Sequence, residues 1–177
     1  MLRTILTHGL YAGLILGLFA AVTAMTGPPP EPWGMLFGYL AMLVALTMVF
    51  LGTKRHRDIA CGGVIRFWPG FGFGLAISLV ASILYVVAWE ISLAVSGADF
   101  IGEYGASLIA DMRTKGASAA EIAKVAAEMA RLKADYANPF YRLPLTFLEI
   151  APVGLLVSLV SAGLLRNPRF MAARGEA

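Results

Sequence analysis

Long apolar segments separated by short polar ones dominate this chain. Four of them, near residues 5–26, 33–52, 71–96 and 141–165, match the roughly 20 apolar residues with which a helix crosses a hydrocarbon core of about 30 Å. Hydrophobic residues make up 59% of the 177 residues and charged ones 14%, whereas a typical soluble domain is about 45–50% apolar and about 25% charged. The pattern therefore predicts an all-α, polytopic membrane protein whose four transmembrane helices form one domain, residues 1–177.

The first span has an alternative interpretation as a cleaved secretory signal. Arg3 supplies a basic start, and Val22, Thr23 and Ala24 loosely resemble a small-residue cleavage site. However, the apolar run is longer than the roughly 7–15 residues of a signal core, and it carries three glycines at helical spacing. We therefore favour a retained span.

The positions of Lys and Arg predict the orientation of the chain. If the chain crosses four times, both termini and the loop 53–70 share one side, with these cations: Arg3, Lys54, Arg55, Arg57, Arg66, Arg166, Arg169 and Arg174. The opposite side begins with a proline-rich turn, residues 27–32, which carries no cation. The positive-inside rule then places both termini in the cytoplasm. Because these cations border the spans, we expect them to contact anionic lipid rather than nucleic acid.

The extended polar region at residues 97–138 has the pattern of a helical hairpin on the outer side. Apolar residues recur every three or four positions in two rows: Phe100, Tyr104, Leu108 and Met112, then Ile122, Val125, Met129, Leu132 and Tyr136. Gly116 fits the end of the first helix, Ser118 and Glu121 form a capping box for the second, and Asn138-Pro139 ends it. The two stripes could pack on each other, on the outer leaflet or on a partner protein.

Small residues recur every four positions inside three of the spans. The rows are Gly9, Gly13 and Gly17; Gly74, Ser78 and Ser82; and Gly154, Ser158 and Ala162. In lipid such rows let helix backbones approach closely, so we expect them to mediate helix packing and self-association, with a homodimer favoured. The similar strings at 74–80 and 154–160 also allow an inverted repeat, although chance similarity among apolar sequences is the simpler account.

Glu90 and Glu149 each lie inside an apolar span. A carboxylate is costly at membrane depth and usually faces a partner or a cavity, so each is a candidate functional residue. Spans three and four run in opposite directions, and both residues lie on the order of 10 Å below the outer boundary. The two side chains could therefore meet and share a proton or a cation.

The residues around Glu149 favour such a cation or proton site. Pro152 has no N–H, so it kinks the helix, and the carbonyl of Leu148 loses its helical donor and adds an oxygen near the carboxylate. Thr146, one turn earlier on the same face, is a further candidate ligand, and Tyr85 is a candidate ligand near Glu90. The structural alternative is that each glutamate is hydrogen-bonded within the bundle or reaches outer water, or that Arg142 neutralises Glu149.

Evidence for an enzyme is thin in this sequence. It contains no His–Cys cluster for zinc, no Gly-x-Ser-x-Gly nucleophile elbow and no phosphate-binding loop. His8 and His56 fall on the inner side, away from the glutamates, and Cys61 is the single cysteine. No catalytic residue, metal, cofactor or disulfide is therefore predicted.

Several strings of this chain match a family pattern. Trp-Glu-Ile at 89–91 and Thr-Phe-Leu-Glu-Ile at 146–150 are the most specific, and those at 38–43, 49–54, 57–58 and 138–139 add to them. The chain thereby resembles, over nearly its whole length, the bacterial four-span membrane family known as domain of unknown function 4199. The resemblance implies a bacterial inner-membrane protein with four helices, and it implies no reaction and no ligand.

These observations leave three functional hypotheses. The first is a non-enzymatic membrane module that self-associates or binds a partner protein through its small-residue faces and the hairpin 97–138. The second is a proton- or cation-coupled transporter or channel that uses Glu90 and Glu149 as a relay. The third is a membrane enzyme that acts on lipid.

Overall fold

Six α-helices make up the computed structural model, which describes residues 1–27, 33–97 and 99–172. They are α1 (Leu2–Thr26), α2 (Trp33–Ala60), α3 (Phe67–Ser96), α4 (Phe100–Thr114), α5 (Ala119–Tyr136) and α6 (Pro139–Leu165). The predicted all-α class is confirmed, and α1, α2, α3 and α6 are long and apolar enough to cross a membrane. The proline-rich turn at 28–32 and Arg174 lie outside the described residues.

The bundle has two ends, which we name by what they carry. The hairpin side carries α4 and α5, and the termini side carries Met1, the loop 61–66 and the residues after Leu165. This loop is shorter than the predicted 53–70, because α2 continues to Ala60 and α3 already begins at Phe67. An ion pair one helical turn apart, Lys54 with Asp58 at 2.5 Å, joins two charged residues in this polar extension of α2.

Close contact between α1 and α3 forms the centre of the bundle. These two helices run parallel, and Gly9, Gly13 and Gly17 of α1 lie against residues of α3 that share the same four-residue spacing, Val80, Leu84 and Ala88. A Cβ atom at Gly13 would lie 2.6 Å from the Cβ of Leu84, so only glycine fits there. The absent side chains let the two backbones approach closely, as expected for helices packed in lipid.

The contact between α3 and α6 is antiparallel and reciprocal. Gly74 of α3 faces Ser158 of α6, and Gly154 of α6 faces Ser78 of α3, with a glycine Cβ position 3.3 Å and 3.0 Å from the respective serine Cβ. The two similar strings noted at 74–80 and 154–160 are therefore the two halves of one packing surface. Each contributes a glycine that accommodates the other's serine.

The buried positions of α2 all lie in the half toward the termini side. They are Ala45, Leu46, Val49, Gly52, Thr53 and Arg57. Over the hairpin-side half, residues 33–44, no residue of α2 is buried, although Met42 packs against the core. A cleft is lined by this half of α2 together with α3, α6 and the hairpin.

The hairpin forms as the local signals predict. Gly116 has a left-handed φ of 76° after α4, and both hydrogen bonds of the Ser118–Glu121 capping box begin α5. Gly105 of α4 lies against Met129 of α5, which places the two helices in contact. Asn138, predicted only to end α5, also caps α6 by accepting a hydrogen bond from the N–H of Phe140.

Candidate functional site

Three polar contacts join α3 to α6 at successive depths. Glu90 contacts Arg142 at the hairpin side, and Tyr85 contacts Glu149 at the next level. Deepest, the hydroxyl of Ser78 lies 3.1 Å from that of Ser158. The antiparallel course of the helices produces this order, because residues earlier in α3 meet residues later in α6.

Arg142 holds Glu90 through two hydrogen bonds. Its Nε and Nη2 donate to the two carboxylate oxygens at 2.6 and 2.5 Å, and its Nη1 donates to the backbone carbonyl of Tyr136 at 3.0 Å. The guanidinium also lies 5.5 Å from the centre of the Tyr136 ring. This residue therefore ties together the end of α3, the end of α5 and the start of α6.

An aromatic cluster continues from this ion pair toward the hairpin. The indole N–H of Trp89 donates to the hydroxyl of Tyr136 at 2.7 Å, which links α3 to α5. Phe100 at the start of α4 meets the Trp89 ring edge-to-face, with ring centres 5.0 Å apart. The cluster fixes the hairpin over the end of the membrane-spanning bundle.

Glu149 lies deeper than this ion pair. It follows Arg142 by seven residues, or about 10 Å along the helix axis. The hydroxyl of Tyr85 donates to its carboxylate at 3.3 Å, which is the one hydrogen bond that this carboxylate makes within the described part of the chain. Since an ionised carboxylate accepts up to about four hydrogen bonds, most of its capacity is unused.

The side chain of Glu149 is exposed, and it faces the cleft behind α2. This cleft has a volume of about 440 Å³ and receives residues from all six helices. From α2 it is lined by Gly34, Gly38 and Met42, which share one face of that helix. Its aromatic lining consists of Phe19, Tyr39, Tyr85, Trp89, Phe100, Tyr104 and Tyr136.

The two glycines of α2 create part of this space. A Cβ atom added at Gly38 would meet no other atom within 4 Å, in contrast to the tightly packed glycines of α1. On the α2 side the cleft is thus lined by two glycines with Met35, Tyr39 and Met42, and on the other side by aromatic rings and a carboxylate.

A second cavity of about 430 Å³ lies beside the cleft at the hairpin side, and its charges are mutually paired. Its lining contains the Glu90–Arg142 pair and the ion pair of Asp99 with Lys133. The hydrogen bond from Lys133 lowers the pKa of the Asp99 carboxyl, as expected for a charge that is already neutralised. We therefore regard the cleft at Glu149 as the candidate site.

The termini side contains a buried cation. Arg57 is fully buried, and its Nη1 and Nη2 donate to the backbone carbonyls of Phe170 and Met171 at 2.9 and 2.8 Å. Its Nε donates to Asp58 at 2.6 Å. This side chain anchors the segment after α6 to the end of α2, which gives Arg57 a structural role beyond its charge.

The structure does not bring the two candidate glutamates together. Among the described residues, no hydrogen bond or ion pair joins Glu90 to Glu149, because Arg142 takes Glu90 and the register places Glu149 opposite Tyr85. The expected neutralisation of Glu149 by Arg142 is likewise not seen. The predicted sharing of a proton or ion between the two carboxylates therefore stays a prediction, to which these contacts add no support.

The other candidate ligands of Glu149 separate into two groups. Tyr85 contacts the carboxylate, whereas the Thr146 side chain is buried in the bundle. The ligand predicted at Leu148 is its backbone carbonyl, and it stays a prediction. Pro152 lies inside α6, which continues through it to Leu165. The carboxylate and the phenol of Tyr85 are thus the polar core of the site.

The small-residue rows all lie at contacts inside one chain. The α1 glycines face α3, and residues 74, 78, 154 and 158 face each other across α3 and α6; Ser82 and Ala162 are also buried. These surfaces are therefore occupied within the chain. They do not support self-association through the same faces.

The two histidines lie at the termini side of the bundle. Within residues 1–27, 33–97 and 99–172, no group of three or more His, Cys, Asp or Glu side chains is placed to hold a metal ion. The Nδ1 atom of His8 lies 2.9 Å from the carbonyl oxygen of Thr4, which accepts the hydrogen bond, and His56 stacks on Phe73 with ring centres 4.1 Å apart. Both histidines serve packing at the termini side.

The family model described as "Protein of unknown function (DUF4199)" matches residues 7–167. The chain belongs to this family. The match includes all four apolar helices, the hairpin, Glu149 and the Glu90–Arg142 pair. No curated protein and no solved structure matches the chain.

Two features of this DUF4199 protein were not identified from its sequence. The burial of Arg57 was not predicted, although it follows Val49 and Thr53 at four-residue spacing on one face of α2. The cleft was missed because it depends on how residues 33–44 of α2 lie against the other helices. Gly34 and Gly38, four residues apart, were its local signal.

Proposed function

We propose that this DUF4199 protein is a non-enzymatic membrane module that binds an amphipathic small molecule in the cleft between α2, α3 and α6. The cleft itself carries the proposal: it combines about 440 Å³ of space, aromatic walls and one under-partnered carboxylate. Ligand sites are commonly cavities of about 300–1,000 Å³ with apolar walls and a few polar groups. A module of this kind fits the first hypothesis, with a small-molecule partner in place of a protein.

The position of the cleft supports an amphipathic ligand. Glu149 follows the start of α6 by ten residues, or about 15 Å along the helix. A ligand that reaches it from the hairpin side therefore extends into the hydrocarbon region. Such a ligand needs an apolar body for the aromatic walls and a polar group for the carboxylate.

Below the cleft the bundle is closed, which supports binding over conduction. Leu46, Val49, Ile77 and Ser158 are all fully buried toward the termini side. Coupled transport remains a second candidate because Glu149 is accessible and carries capacity for a proton or cation. In that case Glu149 acts alone, since Arg142 already neutralises Glu90.

We propose that both termini lie in the cytoplasm, on the basis of the cation distribution, and that the membrane is a bacterial inner membrane, on the basis of the family resemblance. Native Cys61 lies in the loop on the termini side, and Ala127 is exposed on α5. A membrane-impermeant thiol reagent added to intact spheroplasts should label Ala127→Cys and spare Cys61. The reverse pattern would invert the orientation.

A neutral photoreactive amphiphile, diazirine-bearing dodecanol, tests the binding function. We expect it to label residues that line the cleft, such as Met42 and Leu145, with mapping by mass spectrometry. The Gly38→Phe variant adds a ring at a lining position where a Cβ meets no atom within 4 Å, so it should occupy the cleft and reduce this labelling strongly. Gly163→Phe, at an equally open glycine outside the cleft, should not. Labelling that is equal in both variants would reject the proposed site.

A further inference from the structure

We infer that the cleft selects a hydrophobic organic cation, an ammonium or phosphonium group that carries aromatic or branched apolar substituents. This inference rests on the proposed function and names the ligand class of the same cleft. It follows from three properties of the cleft: its charge, its rings and its oxygen supply.

The charge of the cleft is negative. Among its described lining residues Glu149 is the one charged side chain, and no cation faces it from the neighbouring helices that line the same space. Arg142 and Lys133 line the adjacent cavity and are engaged by Glu90 and Asp99. In surroundings of low dielectric, an isolated carboxylate attracts a cation strongly and repels an anion of the same shape.

The aromatic lining favours an organic cation. Seven aromatic side chains reach the cleft, from five different helices. The faces of Trp, Tyr and Phe rings attract cations, and this attraction strengthens when the cation is already desolvated. Aromatic rings also bury the apolar substituents that such a cation carries.

The oxygen supply disfavours a metal ion. Hard divalent cations are typically held by several carboxylate and carbonyl oxygens, whereas Glu149 is the one carboxylate among the described lining residues of the cleft. The other side-chain oxygens are the hydroxyls of Thr23, Tyr39, Tyr85, Tyr104 and Tyr136. A large organic cation has no such requirement, because its charge is spread over its substituents. The combination of one carboxylate with many rings therefore selects by charge and by apolar size.

Two sources could supply this chemistry: a free amphipathic amine, or the ammonium headgroup of a zwitterionic phospholipid. The probe that separates charge from shape is tetraphenylphosphonium, with tetraphenylborate as an anion of nearly the same size. Equilibrium dialysis in neutral maltoside detergent should show saturable binding of tetraphenylphosphonium and no competition by tetraphenylborate. Displacement by added phosphatidylcholine identifies a headgroup as the source, and the absence of displacement identifies a free cation.

Variants test whether the Glu149 carboxylate is responsible for this binding. Glu149→Gln should weaken tetraphenylphosphonium binding by about tenfold or more, because the charge is removed and the shape is kept. Glu149→Asp should retain most of the affinity, and Glu128→Gln, at an exposed carboxylate on α5 outside the cleft, should leave it unchanged. An unchanged elution volume and helical content establish that each variant is folded.

Two outcomes would overturn parts of this account and are distinguishable. Equal binding of both tetraphenyl ions, or an unaffected Glu149→Gln variant, rejects cation selection. If dodecanol labelling still depends on Gly38 in that case, only cation selection is rejected and the proposed binding function is retained. If that labelling is also independent of Gly38, the proposed binding function is rejected too.

Discussion

Arg142 and Glu90 form a two-point ion pair, with distances of 2.6 and 2.5 Å, where α6 begins and α3 ends. The pair closes the hairpin side of the bundle and leaves Glu149, two turns deeper, as the carboxylate with spare capacity. It thereby divides the two intramembrane glutamates into a structural one and a candidate ligand-binding one.

Replacing one residue of this ion pair should destabilise the fold, because the other charge then loses its partner. The side chains are 17% and 27% exposed, so a single change, Arg142→Met or Glu90→Gln, should cost about 2 kcal/mol, between the typical values for exposed and buried pairs. The double variant should cost less than the sum of the two. Unfolding in mixed micelles titrated with dodecyl sulfate measures these free energies.

A matched control for the ion pair lies on α4. Asp111 and Lys115 form a pair in which both side chains are exposed, and Lys115→Met should change the unfolding free energy by less than about 0.5 kcal/mol. Strictly additive losses for Arg142→Met and Glu90→Gln would mean that the two residues are not coupled, contrary to the structure.

The α1–α3 contact predicts that Gly13→Ala destabilises the bundle. The new Cβ would lie 2.6 Å from the Cβ of Leu84, so a helix must shift, at a cost of about 1–3 kcal/mol. Gly163→Ala, where nothing lies within 4 Å, should be neutral or slightly stabilising. The same micellar titration compares them, and equal stabilities would show that α1 does not pack on α3 in this register.

Replacing Arg57 should release the segment after α6 from the bundle. Arg57→Met removes the donors to the carbonyls of Phe170 and Met171, so trypsin should cut after Arg169 faster than in the unchanged protein. We expect a loss of unfolding free energy of about 2–3 kcal/mol. Arg55→Met, at an exposed neighbour, is the control, and an equal cleavage rate in both variants would remove the anchoring role.

The elements of this fold could be predicted because their signals are local. Uninterrupted apolar runs define α1, α2, α3 and α6, and the capping box at Ser118 and Glu121 defines the start of α5. The end of α2 was missed because this helix continues to Ala60 through polar sequence beyond the apolar run. The start of α3 was placed too late, because the helix already begins at Phe67, ahead of Pro69. Hydropathy predicts the part of a helix that can lie in the membrane, whereas the helix itself can extend beyond that part.

The residue that pairs with Glu90 depends on the register of α3 against α6, and apolar periodicity does not define that register. The two similar strings contain the answer when they are aligned in opposite directions. Gly74 faces Ser158, and sixteen residues onward from Gly74 and sixteen back from Ser158 stand Glu90 and Arg142. An antiparallel alignment of the strings therefore predicts the ion pair, whereas depth alone suggested that the two glutamates meet.

The cleft is the part of the site that sequence patterns could not supply. It lies along residues 33–44 of α2, none of which is buried, although this stretch is rich in apolar residues. Composition cannot distinguish a helix face that contacts lipid from one that lines a cavity. Only the three-dimensional contacts of α2 separate the two.

The central claim is that position 149 opens into the cleft, and cysteine accessibility tests it most directly. In a Cys61→Ala background, Glu149→Cys should react readily with 2-aminoethyl methanethiosulfonate. Thr146→Cys, on the same helix but 2% exposed, should react slowly. Adding Gly38→Phe should protect Glu149→Cys, and equal reaction rates at positions 149 and 146 would contradict the account.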